Sequence, residues 1–164
     1  MTLDEFNSLA ADELRPQLLA CADVPAWAGA LLDARPYADR GELEATADKA
    51  AREFTPADVD RALAAHPRIG ERAEGAGTEA AWSRDEQSAV TRDSGTEQAL
   101  AEGNRAYEER FGRVFLVCAT GLSGEEILAS LRVRLGHDDV TEQAVVADEL
   151  RKIALLRLGK VVDR

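Results

Sequence analysis

Signals for the start of an α-helix recur along the whole length of this sequence. The segments TLDE at 2–5, SRDE at 83–86 and SGEE at 123–126 have the spacing of a capping box, in which a hydroxyl side chain and a carboxylate three residues later each accept a hydrogen bond from the other's backbone N–H. TPAD at 55–58 adds a threonine cap with proline at the first helical position. The signals predict helices near 3–9, 11–22, 25–33, 41–53, 56–65, 84–92, 96–110, 124–135 and 139–159. An all-α fold is therefore predicted.

Two stretches interrupt the helical pattern. Residues 67–82, PRIGERAEGAGTEAAW, are rich in glycine and form the longest predicted loop, a kind of segment that often carries function in a compact domain. The run VFLVCA at 114–119 is apolar, too short for a typical helix and without an identifiable partner strand, so it predicts a buried extended link.

A length of 164 residues suits one hydrophobic core, and we predict a single domain over 1–164, a bundle of about nine helices.

The charge balance disfavours two classes of partner. Asp and Glu number 31 against 20 Lys and Arg, which gives a formal net charge of −11 at pH 7. Long-range attraction to nucleic acid or to an anionic membrane is therefore not expected. A small anionic ligand is compatible with the negative net charge, because a local cluster of cations can hold one. The segment ELRKIALLRLGK at 149–160 is locally basic.

Three features of the sequence predict a cytoplasmic protein. Cys21 and Cys118 lie in apolar surroundings without CxxC spacing, which predicts reduced packing residues instead of a disulfide. The first residues, MTLDEFNSLAADEL, are acidic where a signal peptide needs a basic start. No apolar run approaches the length of about 20 residues that spans a bilayer.

The sequence offers no convincing site for a transition metal or a nucleotide. Its two histidines and two cysteines have no ligand spacing, and it contains no P-loop, no GxGxxG after a strand and no GxSxG. A site built from carboxylates alone stays open in so acidic a chain.

His66 is the first candidate for chemistry. It ends the predicted helix that starts at Thr55, because the residue before a proline is disfavoured in the α region. An imidazole at this end of a helix feels the negative end of the dipole, which stabilises its cationic form and keeps a proton available. The alternative is a histidine that only caps the last carbonyls. His137, in the polar turn RLGHDD, is predicted to be solvated.

Glu86 has two interpretations. Its spacing from Ser83 fits a capping box, which is a structural role. A helix start that presents Ser83, Glu86, Gln87 and backbone N–H groups is also a polar surface for a small ligand with amide and carboxylate edges. The pattern alone leaves both roles open and favours the cap.

Arg157 interrupts an apolar helix face. Val146, Leu150, Ile153 and Arg157 follow one another in steps of four, three and four, which places them on one side of a helix. An arginine there must pair with an anion or carbonyl group, or extend its guanidinium to solvent.

Four segments of the chain together resemble a known family. They are AHPRIGE at 65–71, WSRDEQSAV at 82–90, NRAYEERFGRVFLVCATG at 104–121 and ELRKIALLRL at 149–158. In this order, and over nearly the whole length, they are similar to 2-oxo-4-hydroxy-4-carboxy-5-ureidoimidazoline (OHCU) decarboxylases of urate degradation.

The resemblance implies an all-helical, cofactor-free enzyme that converts OHCU to (S)-allantoin, typically as a homodimer. It implies that His66 is the catalytic acid or base, with Glu86 beside it and Arg157 gripping the substrate. The substrate contacts implied in this way are Pro67, Ser83, Arg84, Asp85, Glu86, Gln87, Phe115, Leu116, Val117, Cys118, Ala119 and Arg157. Neither a fused hydrolase domain nor a peroxisomal address at the C-terminal VVDR is expected.

Two other functions stay as alternatives. One is a helical protein-binding module without activity, whose capped helices and basic last helix would dock a partner. The other is a carboxylate-metal hydrolase, which would contain bound metal.

Overall fold

The computed structural model describes residues 1–70, 77–88, 90 and 94–163. Within these residues there are nine α-helices and no strand: α1 Leu3–Ser8, α2 Ala11–Cys21, α3 Pro25–Asp33, α4 Arg40–Ala51, α5 Pro56–Leu63, α6 Thr78–Glu86, α7 Ser94–Phe111, α8 Gly124–Leu135 and α9 Asp139–Val161. The all-α prediction is confirmed. Eight of the nine predicted helices begin and end within two residues of the observed bounds. None of the described helices is both long and apolar enough to cross a membrane.

Local capping explains where three of these helices begin. Complete capping boxes join Thr2 to Glu5 at the start of α1 and Ser123 to Glu126 at the start of α8. At α5, Thr55 Oγ1 accepts from the N–H of Asp58 at 3.1 Å, and the Thr55 N–H donates to Asp58 Oδ2 at 2.9 Å. Each pair satisfies backbone donors that a helix start would otherwise leave open.

The prediction for α6 is wrong. The helix follows the N-cap residue Gly77 and ends at Glu86, so Ser83 lies inside it and SRDE forms no capping box. Two causes outweigh the cap pattern: the run EAA at 79–81 has high helix propensity, and Ser83 and Glu86, three residues apart, are buried on one face. The predicted loop 67–82 is therefore too long at its C-terminal end, and its residues 71–76 lie outside the described residues.

The chain divides into two compact units. The first comprises Met1–Ala62 and Leu150–Arg164, and the second comprises Leu63–Glu149. In the first unit, Trp27 Nε1 donates to the Ala47 carbonyl at 3.0 Å, and Arg151 Nη1 lies 2.5 Å from Asp48 Oδ1. Buried apolar side chains of this unit include Phe6, Leu14, Leu18, Trp27, Leu31, Leu43, Leu150, Ile153 and Leu158. The single domain over 1–164 stays a prediction.

The second unit has its own apolar cluster, and the link 114–119 belongs to it. The buried members of the cluster are Ile69, Leu100, Tyr107, Phe111, Phe115, Val117, Ala119, Ile127 and Leu131. Between α7 and α8, residues 114–119 have neither helical nor strand structure. The predicted buried link is therefore confirmed.

The two cysteines are thiols, as the sequence predicts. Cys21 is buried in the first unit, where its Sγ–H donates to the Gln17 carbonyl at 3.4 Å. Cys118 is half-buried in the second unit. Both fill space in the manner of small apolar side chains.

Candidate active site

His66 lies just beyond the C-terminal end of α5. The helix ends at Leu63, two residues before the predicted end, and the His66 N–H donates to the Leu63 carbonyl at 3.0 Å across a turn. Its side chain is half-buried, as is that of Pro67. His66 is thus within one turn of the negative end of the helix, as the sequence predicts, but outside the helix itself.

Two contacts with α7 hold the residues that follow Pro67. Arg68 binds Glu108 through two of its nitrogens, with Nε 2.5 Å from Oε1 and Nη2 3.0 Å from Oε2. These hydrogen bonds lower the pKa of Glu108 below its usual value. Asn104, which is buried, donates from Nδ2 to the Ile69 carbonyl at 2.9 Å. The backbone after the catalytic candidate is therefore fixed to a long helix.

A third contact joins the same turn to the end of α6. The N–H of Gly70 donates to Gln87 Oε1 at 3.0 Å. Gly70 has φ +91°, a conformation that residues with a side chain rarely adopt. On the helix that Gln87 follows, Ser83 and Glu86 are only 3% and 9% exposed. The contact thus connects the turn after His66 with the helix that carries the buried carboxylate.

Residues 115–119 of the link between α7 and α8 are joined to this turn through the apolar cluster. Ile69 shares the cluster with Phe115, Val117 and Ala119. Three predicted parts of the site, the 66–70 turn, the end of α6 and the link, therefore lie in one compact unit. Of the other predicted contacts on α6, Arg84 is half-buried and Asp85 is exposed.

Arg157 belongs to the first unit and is completely buried, at 0% exposure. Its Nη1 donates to the Ala20 carbonyl at 3.0 Å, so the alternative in which it extends to solvent is wrong. Val146, Leu150 and Ile153 are buried as well, which confirms the predicted face. The guanidinium is thus a buried cation with a backbone carbonyl among its partners.

A cavity of about 480 Å³ borders the 68–70 turn on the α7 side. It is lined by Arg68, Ile69, Gly70, Glu97, Ala101, Asn104, Arg105 and Glu108. Because its described lining includes neither His66 nor Glu86, we do not assign the substrate to it.

A buried ionic network contacts residues 115 and 116 of the link. Arg134 and Glu142 are both buried, with Arg134 Nε 2.8 Å from Glu142 Oε1. The same carboxylate accepts from the Tyr107 hydroxyl at 2.6 Å and faces His137 Nδ1 at 3.0 Å. Burial raises the pKa of Glu142, but the hydrogen bonds from Arg134 and Tyr107 outweigh burial and hold the pKa below its usual value. Arg134 Nη1 also donates to the Leu116 carbonyl at 2.6 Å.

Comparison with known proteins settles the family. A family model described as OHCU decarboxylase matches residues 7–159. The chain belongs to the OHCU decarboxylase family. Its reaction is therefore the decarboxylation of OHCU in urate degradation, and the family assignment favours an enzyme over a protein-binding module.

Individual relatives agree with this assignment. The chain is 30% identical to an OHCU decarboxylase of Amia calva, over 99% of this chain and 95% of the relative. It is 29% identical to an OHCU decarboxylase of Haloferax volcanii, over 98% and 95% of the two chains. A crystal structure of an OHCU decarboxylase in the presence of (S)-allantoin superposes with a TM-score of 0.75 at 27% identity, covering 93% of this chain and 99% of that one.

For this member of the family, sequence reasoning missed the network around Arg134. His137 was predicted to be solvated, whereas it contacts a buried carboxylate. Arg134 follows Ile127 and Leu131 in steps of four and three, the same kind of spacing that places Arg157 on an apolar helix face, so its burial could have been predicted. A cation on a buried helix face predicts a buried anion, although its position along the chain does not follow from spacing.

Proposed function

We propose that this chain converts OHCU to (S)-allantoin by cofactor-free acid–base catalysis, with His66 moving protons, Glu86 beside it and Arg157 binding the substrate. The observation that carries the proposal is the placement of His66. It is half-buried next to a helix end, and contacts from Arg68, Ile69 and Gly70 fix the turn after it to two helices. Such support gives a proton-transfer group a defined position.

The chemistry of OHCU explains why no cofactor is required. When the bond to the carboxylate breaks, its electron pair forms a double bond to the ring carbon that bears the ureido group, and the C=N pair of that carbon moves onto nitrogen. That nitrogen and the ureido-bearing carbon each take a proton, and the neighbouring hydroxyl loses its proton to become a carbonyl. The substrate is its own electron sink, so the protein has to orient the bond and move protons.

Apart from Arg157, the proposed substrate contacts divide into three groups. Pro67 adjoins His66, the residues 83–87 belong to α6 and its C-cap, and the link 115–119 offers backbone groups outside any helix or strand. Binding residues are often found on such irregular segments where a rigid scaffold holds them. The bonds from Gly70 to Gln87 and from Arg134 to Leu116 supply this support.

Replacing Glu86 by Gln is expected to lower turnover by about 10²-fold with a melting temperature close to wild type. The amide keeps the shape of the buried side chain but loses the charge that would orient or polarise the imidazole. Turnover and a melting curve are measured on one preparation.

The matched control is Glu79→Gln on the first turn of the same helix, which is expected to keep wild-type turnover. An active Glu86→Gln enzyme would remove the carboxylate from the mechanism. A loss of turnover in both variants would indicate a general effect on α6.

Activity is expected to survive chelation. The described residues contain no group of three or more His, Cys, Asp or Glu side chains that could hold a metal ion, and the substrate has its own electron sink. The test is turnover after exhaustive EDTA treatment with the metal content measured in parallel. Loss of activity that a divalent ion restores would overturn the cofactor-free proposal and support the metal hydrolase alternative.

The proposal also includes a homodimer in the cytoplasm that binds neither nucleic acid nor membrane. The net charge of −11 supports the absence of polyanionic partners. The homodimer follows from the family resemblance.

A further inference from the structure

The network around Arg134 is built in a way that stability alone does not explain. Arg134 is 3% exposed and Glu142 is 0% exposed, so both charges have been taken out of water. Apolar side chains of similar volume often replace a buried ion pair without loss of stability. A buried pair in the second unit therefore raises the question of what else it does.

The carboxylate of Glu142 fixes the orientation of the guanidinium. Its Oε1 accepts from Arg134 Nε and from the Tyr107 hydroxyl, and its Oε2 faces His137 Nδ1. The carboxylate belongs to α9, and its three partners come from α7, α8 and the turn before α9. The carboxylate is therefore held by several elements. The direction in which Arg134 presents its remaining donors is thereby determined.

One of those donors is bound to the link between α7 and α8. Arg134 Nη1 donates to the Leu116 carbonyl at 2.6 Å, a short bond from a charged donor. The guanidinium carbon also lies 4.5 Å from the ring centroid of Phe115, within the range of a cation–π contact. Two consecutive residues of an irregular segment are thus held by one buried cation.

We propose that Arg134 is a positioning residue for the decarboxylation, which acts by fixing the backbone of residues 115–119. The inference rests on the proposed function, in which this link contacts the substrate. Arg134 itself touches neither substrate nor reacting atoms. Its bond to Leu116 sets where the backbone groups of the link lie, and a displacement of the order of 1 Å at such groups can cost about 10²-fold in rate.

The test removes the bond to Leu116 without leaving a buried charge. The triple variant Arg134→Met, Glu142→Leu, Tyr107→Phe replaces each buried polar group by an apolar one of similar size. We expect kcat/KM for OHCU to fall by about 10- to 100-fold, with a raised KM, while the helical circular dichroism is retained. A structural role alone would reduce the amount of active enzyme, which lowers apparent kcat and leaves KM unchanged.

Arg134→Lys provides a second variant that keeps a cation beside Glu142. An ammonium lacks the planar fork needed to hold Glu142 and Leu116 together, so KM should again rise. Hydrogen exchange gives a readout independent of turnover: amides of 115–119 should exchange faster, and those of α8 at the wild-type rate. Arg132→Met, an exposed position on the same helix, is the control and should match wild type in both measurements.

The outcomes separate this inference from the proposed function. Wild-type enzyme is first assayed on OHCU, and its exchange at 115–119 is measured with and without allantoin. No turnover, or no protection of the link by allantoin, would overturn the proposed site and the inference with it. Turnover and protection in wild type, together with an unchanged KM in the folded Arg134 variants, would overturn the inference alone.

Discussion

His66→Asn is expected to lower kcat for OHCU by about 10²- to 10⁴-fold, the usual contribution of a positioned acid or base. Asparagine has no group that titrates near neutral pH, so it cannot exchange protons with the substrate. The side chain is half-buried and lies in a turn whose following residues are held by their own contacts with α6 and α7. Circular dichroism and melting temperature should therefore stay close to wild type.

His137→Asn is the matched control, because it removes the only other histidine of the chain. Arg134 and Tyr107 still bind the carboxylate of Glu142 in that variant, so turnover should fall far less than in His66→Asn. Near-normal kcat in His66→Asn would remove His66 from the mechanism.

Arg157→Lys is expected to lower kcat/KM by about 10²-fold although the charge is kept. A guanidinium can form two parallel hydrogen bonds to a carboxylate or ureido group while it also binds a backbone carbonyl, whereas an ammonium acts as a point charge with a different reach. Arg157 already uses Nη1 for the Ala20 carbonyl. We therefore expect a lower melting temperature as well, since lysine would bind that carbonyl less well.

Kinetics well below the melting temperature separate the two effects. A raised KM in fully folded Arg157→Lys protein would support a role in substrate binding. Wild-type kinetics with a reduced melting temperature would show that Arg157 only holds the end of α2. Arg151→Lys serves as the control, because an ammonium can pair with Asp48 as the guanidinium does.

Helix positions could be predicted from the sequence where the signal is local. The boxes of Thr2 with Glu5 and Ser123 with Glu126 involve residues three apart, so the pattern contains the whole interaction. The same pattern failed at Ser83 and Glu86, because both side chains are buried in the folded unit. Burial depends on residues far away in the chain, which a capping pattern does not include.

The site shows the same division between local and distant information. The position of His66 at a helix end and the apolar face with Arg157 follow from neighbouring residues, and both were predicted. The contacts that hold the 68–70 turn join residues 17 to 40 positions apart, as do the bond of Tyr107 to Glu142 and the bond of Arg134 to Leu116. Periodicity and spacing carry no information about such pairs.

The most direct test of the account is the handedness of the product formed from freshly generated OHCU. A closed site with one proton donor can deliver hydrogen to only one face of the ureido-bearing carbon. We predict that the purified protein forms (S)-allantoin faster than OHCU decays in buffer, as followed by optical rotation. Racemic allantoin formed at the spontaneous rate would contradict the account and leave the protein-binding interpretation.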